Sequence, residues 1–258
     1  MKVRQTLRER LSNQRALLGF LQTYPNPALT EMAGRCGYDF LFFDGEHGLF
    51  GEMDFFQALQ TTAATDAIAL IRLGKHDPHA LGRYLDIGAD GIVVPNVSTA
   101  EQARLLVRGF TYPPAGTRGF GASLHRTTNY GLDLDSHLNA PRQGACLLPI
   151  VESFVGVDNV EEILATEGVD GVIIGIWDLT ADLGRAGDFS QPAFAQATAR
   201  IERAAVANGK ILGTAPHPGN PIEALISRGH RLLLIDDDVS LVCETMSAKV
   251  AKARSCFR

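Results

Sequence analysis

Long apolar runs are missing from this sequence. No stretch approaches the ~20 residues that a membrane-spanning helix needs, and the charged opening segment MKVRQTLRERL lacks the apolar centre of a secretory signal. Basic blocks are missing too. The formal net charge is −5 with no cluster of lysine and arginine, which argues against nucleic acid and anionic membranes as partners. Cysteine is sparse: Cys36, Cys146, Cys243 and Cys256 are scattered without CxxC spacing, so neither a zinc site nor a disulfide framework is indicated. The expectation from these absences is a reduced, cytoplasmic protein.

What is present is an ordinary apolar content, 45% of 258 residues, enough for one α/β barrel or two small domains. After an opening amphipathic helix, the pattern alternates strands with helices. Strands are predicted at 15–23, 38–44, 67–73, 91–96, 145–152, 171–176, 210–214 and 231–236. Helices are predicted at 26–37 (Gly37 as terminal cap), 52–65, 77–88, 99–110 (Thr99 as N-cap), around 159–166, and at 192–208, 221–228 and 239–254. Clustered Pro and Gly in YPPAGTRGFGAS make 111–144 a long irregular connection, and such connections are usually functional or involved in assembly. Strict alternation of eight strands with helices predicts a parallel (β/α)8 barrel. An open doubly wound sheet is the competitor, but the first strand leads into GFLQTYPNP rather than a glycine-rich dinucleotide loop. No linker or composition shift divides the chain, so residues 1–258 read as one barrel domain.

The run GVDGVIIGIWDLTADLG centres the chemistry. Its apolar strand stops before Asp178, and 26 positions earlier LLPIVES stops at Glu152 in the same way. In a barrel the carboxyl ends of all strands meet on one face. Two carboxylates on adjacent strand ends can hold a hard cation such as Mg²⁺ or Mn²⁺ through oxygen alone. Either acid taken alone reads as a solvated or ion-paired rim residue; the pair shifts that balance. His47, in Asp-Gly-Glu-His-Gly after the second strand, is the candidate general base. Arg72, ending the third strand, is placed to hold a carboxylate or a developing oxyanion, or else to pair with a rim acid. Asp86 precedes the fourth strand, so by position it is a helix-terminal surface residue at the opposite end. Of the other histidines, His76 and His79 flank a turn proline, and His125 and His137 fall in the long connection. His217, after the seventh strand, is placed to see the site. Lys75 and Lys210 are the lysines nearest to strand ends, and neither suits a Schiff base in this constellation.

These residues resemble the metal-dependent pyruvate aldolases of the 4-hydroxy-2-oxoheptanedioate aldolase type, within the HpcH/HpaI aldolase/citrate lyase family. The resemblance covers nearly the whole chain. It is carried by GYDFLFFDGEHG, LDIGADGIVVPNVSTAEQA, YPPAGTRGFGAS and VESFVGVDNVEEILATEGVDGVIIGIWDLTADLG. It implies a (β/α)8 barrel assembled as a hexamer, a trimer of dimers that swap their final helix. It implies a divalent metal (Mg²⁺, Mn²⁺ or Co²⁺) on Glu152 and Asp178, His47 as base and Arg72 as stabiliser of the transition state. Asp86 matches an acid that raises the basicity of the histidine, which fits if a neighbouring subunit delivers it. Backbone amides around Trp177 and Asp178 match positions that bind the pyruvate carboxylate. The implied reaction is reversible cleavage of a 4-hydroxy-2-oxo acid to pyruvate, or a related 2-oxo acid, and an aldehyde through an enolate. Oxaloacetate decarboxylation, a citrate-lyase-like reaction and a non-catalytic 2-oxo acid binding protein are the alternatives. Two departures bear on the substrate: Ile150 stands where the family usually has Gln, and Ile176-Trp177 where it usually has Pro-Ala or Pro-Ser. Both predict a less polar acceptor pocket.

Overall fold

Eight short apolar segments become strands: β1 (Leu17–Gln22), β2 (Phe40–Asp44), β3 (Ile68–Arg72), β4 (Gly91–Val94), β5 (Cys146–Val151), β6 (Gly171–Ile174), β7 (Ile211–Thr214) and β8 (Leu232–Asp237). In the computed structural model, which describes residues 5–13, 16–121, 123–140, 142 and 144–257, all pair in parallel and in chain order, and β8 closes onto β1. The result is a closed (β/α)8 barrel. Between the strands run α1 (Leu7–Asn13), α2 (Pro27–Cys36), α3 (Glu52–Thr62), α4 (Leu81–Asp86), α5 (Ala100–Phe110), α6 (Leu134–Asn139), α7 (Phe154–Asp158), α8 (Val160–Ala165), α9 (Ile176–Asp182), α10 (Pro192–Ala207), α11 (Ile222–Ser227) and α12 (Asp238–Ser255). No helix among the described residues is long and apolar enough to cross a membrane.

The strands are apolar throughout because both faces are buried. One set of alternate residues, including Phe40, Phe42, Ile68, Leu70, Val93, Leu148, Ile150 and Ile173, fills the barrel interior, joined by Leu7 and Leu11 of α1. The other set, including Leu41, Phe43, Ile71, Ile92, Leu147, Val172 and Leu212, packs outward on Phe55, Leu59, Leu106 and Ile201 of the helices.

A repeated device sets the entry to the even-numbered strands. Gly37, Gly88, Gly168 and Gly229 turn the chain at φ of 100, 98, 93 and 97°, values that only glycine adopts freely. Two residues later Asp39, Asp90 and Asp170 each accept the backbone N–H of the preceding odd strand: Leu18 at 3.0 Å, Ala69 at 2.7 Å and Leu147 at 2.7 Å. The fourth copy places Arg231 there. Asp170 is buried and also binds Arg142 at 2.6 Å and Arg8.

Several predicted boundaries move. The helix expected over 77–88 is reduced to α4, because the Asp77 side chain accepts the amides of His79 and Ala80 and holds that segment as a turn. The stretch 111–144 contains a 3-10 turn at Arg126–Thr128 and the short α6. Helices α7 and α9 had no counterpart in the sequence reading, being too short to show a period. Strand six ends at Ile174, and Ile176 already belongs to α9. The caps at Gly37 and Thr99 are as predicted; Thr99 and Gln102 form a reciprocal capping box. The start of the first predicted strand, at Arg15, and the first four residues of the opening segment lie outside the described residues.

Candidate active site

His47, Arg72, Glu152, Trp177 and Asp178 line one cavity of about 540 Å³, whose inner wall is Phe42, Ile150 and Ile173 from the barrel interior. Four sequence-predicted groups from β2, β3, β5 and β6 therefore meet at one place, as parallel closure requires.

Glu152 sits just past β5, 6% exposed. Its Oε1 accepts the Asn96 backbone N–H at 2.6 Å, offered by a residue held at φ 51°. Its Oε2 faces Gly175, where a Cβ would lie 2.3 Å away; only glycine lets the turn into α9 pass this carboxylate. Burial pushes Glu152 up to about 7, and the negative charges of Asp178 and Glu46 act in the same direction, against the Asn96 N–H and Arg72. Burial likewise raises Glu46. An acidic set whose charge is under-compensated, with hard oxygen donors only, is suited to a divalent cation. Among the described residues no cluster of three or more His, Cys, Asp or Glu forms a metal cage. The Glu152–Asp178 pair would leave the remaining positions to water and substrate.

Asp44, at the end of β2, is fully buried and was not singled out from the sequence. It takes Arg72 in a bidentate pair, Nε to Oδ1 at 2.8 Å and Nη2 to Oδ2 at 2.6 Å, and also accepts the amides of Glu46 and His47. Burial alone would raise Asp44, but the two Arg72 hydrogen bonds prevail and hold it below the usual carboxylate range. The signal was available: FLFFD stops at an acid just as LLPIVE does. Arg72 also approaches Glu46 at 3.0 Å, so it is ion-paired at the rim while still lining the cavity. The His47 imidazole is 63% exposed, and its Nε2 lies 3.9 Å from Glu46.

Asp86 does not line this cavity. At the end of α4 it binds Arg118 at 2.6 Å and lies 3.1 Å from His125 Nδ1, so the histidine it meets within the chain is His125, not His47. The geometric reason is the one read from the sequence: α4 precedes β4, and its end lies at the barrel's amino-terminal face. No lysine among the described residues lines the cavity; Lys210 instead donates to the Val169 carbonyl at 2.7 Å. His217 stands outside the cavity, stacked on Phe189.

Residues 18–242 match the HpcH/HpaI aldolase/citrate lyase family. A hydroxypyruvate/pyruvate aldolase of Roseovarius nubinhibens is 35% identical over 254 residues, 97% of each chain. A 2-keto-3-deoxy-L-rhamnonate aldolase of Escherichia coli is 32% identical over 96% of this chain and 92% of its own. Among solved structures, a HpcH/HpaI aldolase/citrate lyase family protein from Burkholderia cenocepacia superposes with a TM-score of 0.89 at 29% identity, covering 96% of this chain and 98% of its own. The chain belongs to the HpcH/HpaI aldolase/citrate lyase family.

Proposed function

We propose that the protein is a divalent-metal-dependent aldolase, a carbon–carbon lyase that reversibly cleaves a 4-hydroxy-2-oxo acid to pyruvate or a related 2-oxo acid and an aldehyde. The observation that carries this reading is the convergence of Glu152, Asp178, Arg72 and His47 on one cavity, in a chain similar along its length to aldolases. Glu152 and Asp178 would hold the cation. When bound, such a cation supplies Lewis-acid stabilisation of an enolate that water alone supports poorly.

The chain's own groups account for the remainder. His47 takes the proton from the C4 hydroxyl of the substrate. The C3–C4 bond then breaks, its electron pair moves toward the 2-oxo oxygen, and C4 leaves as the aldehyde. Protonation at C3 completes pyruvate. Arg72, held by Asp44, offers its guanidinium to the developing negative charge; such a group is worth about 10²–10³ in rate. The first-turn amides of α9, around Trp177 and Asp178, have no partner inside the helix and are free to receive the substrate carboxylate.

The role of Asp86 follows from assembly. Its position away from His47 in the same chain supports delivery to the histidine of a neighbouring subunit, in a hexamer built from dimers. Helix α12 supports a swapped arrangement, since Val239, Val242, Met246 and Val250 are all more than 40% exposed.

Pyruvate release from a panel of 4-hydroxy-2-oxo acids, with and without Mn²⁺, Mg²⁺ or Co²⁺, tests the proposal. Metal-dependent release that is lost in Glu152→Ala and in His47→Ala is the expected result. Absence of release from every substrate in the presence of each metal would overturn it.

A further inference from the structure

Beside the catalytic cavity, and sharing Trp177 and Pro216 with it, lies a second and larger groove of about 940 Å³. It runs between the loop after α9 and the loop after β7, over the side of α10. Its walls are aromatic. Phe189 meets Trp177 edge-on at 5.1 Å, stacks on His217 at 4.6 Å, and meets Phe194 at 5.6 Å. Trp177 is 63% exposed even so, which leaves indole surface open to a ligand.

Hydrogen bonds fix the aromatic wall of the groove and leave its histidine neutral. The Thr180 hydroxyl donates to the Trp177 carbonyl at 2.7 Å and accepts the Gly187 N–H at 2.9 Å, tying the Phe189 loop to α9. His217 Nδ1 lies 3.1 Å from the Pro218 carbonyl, an atom that only accepts, so Nδ1 carries the hydrogen. Nε2 must then accept, which it does from the Asn220 amide at 3.0 Å. The orientation of that amide is set in turn by Arg228 donating to its Oδ1 at 2.6 Å. Burial, aided by the Arg228 charge and opposed by the Pro218 carbonyl, lowers the His217 pKa, in keeping with a neutral ring.

The charged groups of the groove are already paired. Arg228 Nε binds Glu202 at 2.9 Å, and Asp188 binds Arg185 at 2.6 Å and the Ser190 hydroxyl at 2.6 Å. Arg228, a cation that lines the groove, is held by Glu202 and Asn220, and the aromatic rings make up most of the remaining wall. Flat apolar surface is what the groove offers, and an aromatic ring matches it through offset or edge contacts.

We propose that this groove is the subsite for the substituent of the aldehyde, and that the substituent is an uncharged aromatic group. The proposal rests on the aldolase reading above and names its acceptor. In the synthetic direction C3 of pyruvate loses a proton and bonds to the carbonyl carbon of the aryl aldehyde, whose oxygen takes up a proton. The product is a 4-aryl-4-hydroxy-2-oxobutanoate, with its ring past Trp177 and its 2-oxo acid end at Glu152 and Asp178.

The test compares benzaldehyde with acetaldehyde as acceptors for pyruvate in the Mn²⁺-loaded enzyme. Acetaldehyde is too short to enter the groove. Benzaldehyde should lead in kcat/KM by about tenfold. Removing Phe189 could unfold the loop, so the informative variant is Ala195→Leu with Ala199→Leu, which fills the groove from α10. It should cut the benzaldehyde rate about tenfold and change the acetaldehyde rate far less. A second readout needs no turnover. Trp177 is the only tryptophan in the sequence, so benzyl alcohol, an unreactive analogue, should alter its fluorescence in the native protein and not in the double variant. Equal effects of the double variant on both aldehydes, or unchanged Trp177 emission, would overturn the subsite while leaving the aldolase intact. No reaction with either aldehyde would overturn the aromatic subsite, while the aldolase reading would be decided separately by pyruvate release from the panel of 4-hydroxy-2-oxo acids.

Discussion

At Asp44 one buried carboxylate does two things: it locks Arg72, and it fixes the turn that carries His47 by accepting the Glu46 and His47 amides. Replacing it by Asn keeps the shape but removes the charge that the guanidinium needs. Breaking a buried ion pair from one side costs about 3–5 kcal/mol, and Arg72 would no longer be held toward the cavity. Asp44→Asn is expected to lower the urea midpoint and to reduce kcat by roughly 10²-fold, which denaturation and steady-state rates together would show. Glu152 makes the opposite kind of statement. Its carboxyl is pushed up to about 7 in the metal-free protein, above its value in an unfolded chain. A group raised in this way gives stability that is full below about pH 4.5 and is lost as pH rises through about 7. The melting temperature in EDTA should therefore fall between pH 5 and pH 8, Mn²⁺ should restore it at pH 8, and Glu152→Gln should flatten both effects. A profile in EDTA with no downward step over that range would contradict the burial argument.

The elements sort by which end of the barrel they serve. Turns at the carboxyl ends hold Glu152, Arg72 and His47, whereas turns at the amino ends repeat the glycine-to-aspartate entry before β2, β4 and β6. Conserving geometry there serves stability rather than chemistry. Asp170 makes this measurable, because it joins Arg142, Arg8 and the Leu147 amide. Asp170→Asn should lose about 3 kcal/mol of stability with kcat for the folded enzyme changed by less than about twofold. A large kcat loss in a sample that is folded by circular dichroism would show that the two ends are coupled. The strands and longer helices were legible in the sequence because burial on both faces of a strand and one face of a helix leaves a clear pattern. Helices α7 and α9 were not: at 5 and 7 residues they complete too few turns for a period, and their positions depend on Ser153 capping Gly156 and on Gly175 clearing Glu152.

For the whole molecule, α12 leaves the barrel with its apolar residues uncovered. If subunits exchange this helix, Met246→Lys with Val250→Glu should dissociate the assembly, seen as a smaller mass in light scattering. Because Asp86 would then no longer reach a neighbour's His47, kcat should fall in parallel. A mass unchanged by the double substitution would remove the swapped helix from the proposal.

The sequence by itself determined the barrel, since eight apolar strands in alternation with amphipathic helices have few ways to bury both faces. It also determined that Glu152, Asp178, Arg72 and His47 would share a face, because parallel strands bring all their carboxyl ends together. Tertiary structure alone decided which of these groups touch. The bidentate hold of Asp44 on Arg72, the pairing of Asp86 with Arg118 and His125, and the aromatic groove behind Trp177 all join residues distant along the chain. Their contacts depend on rotamers and on loop paths set by single hydrogen bonds, and no periodicity in the sequence encodes those.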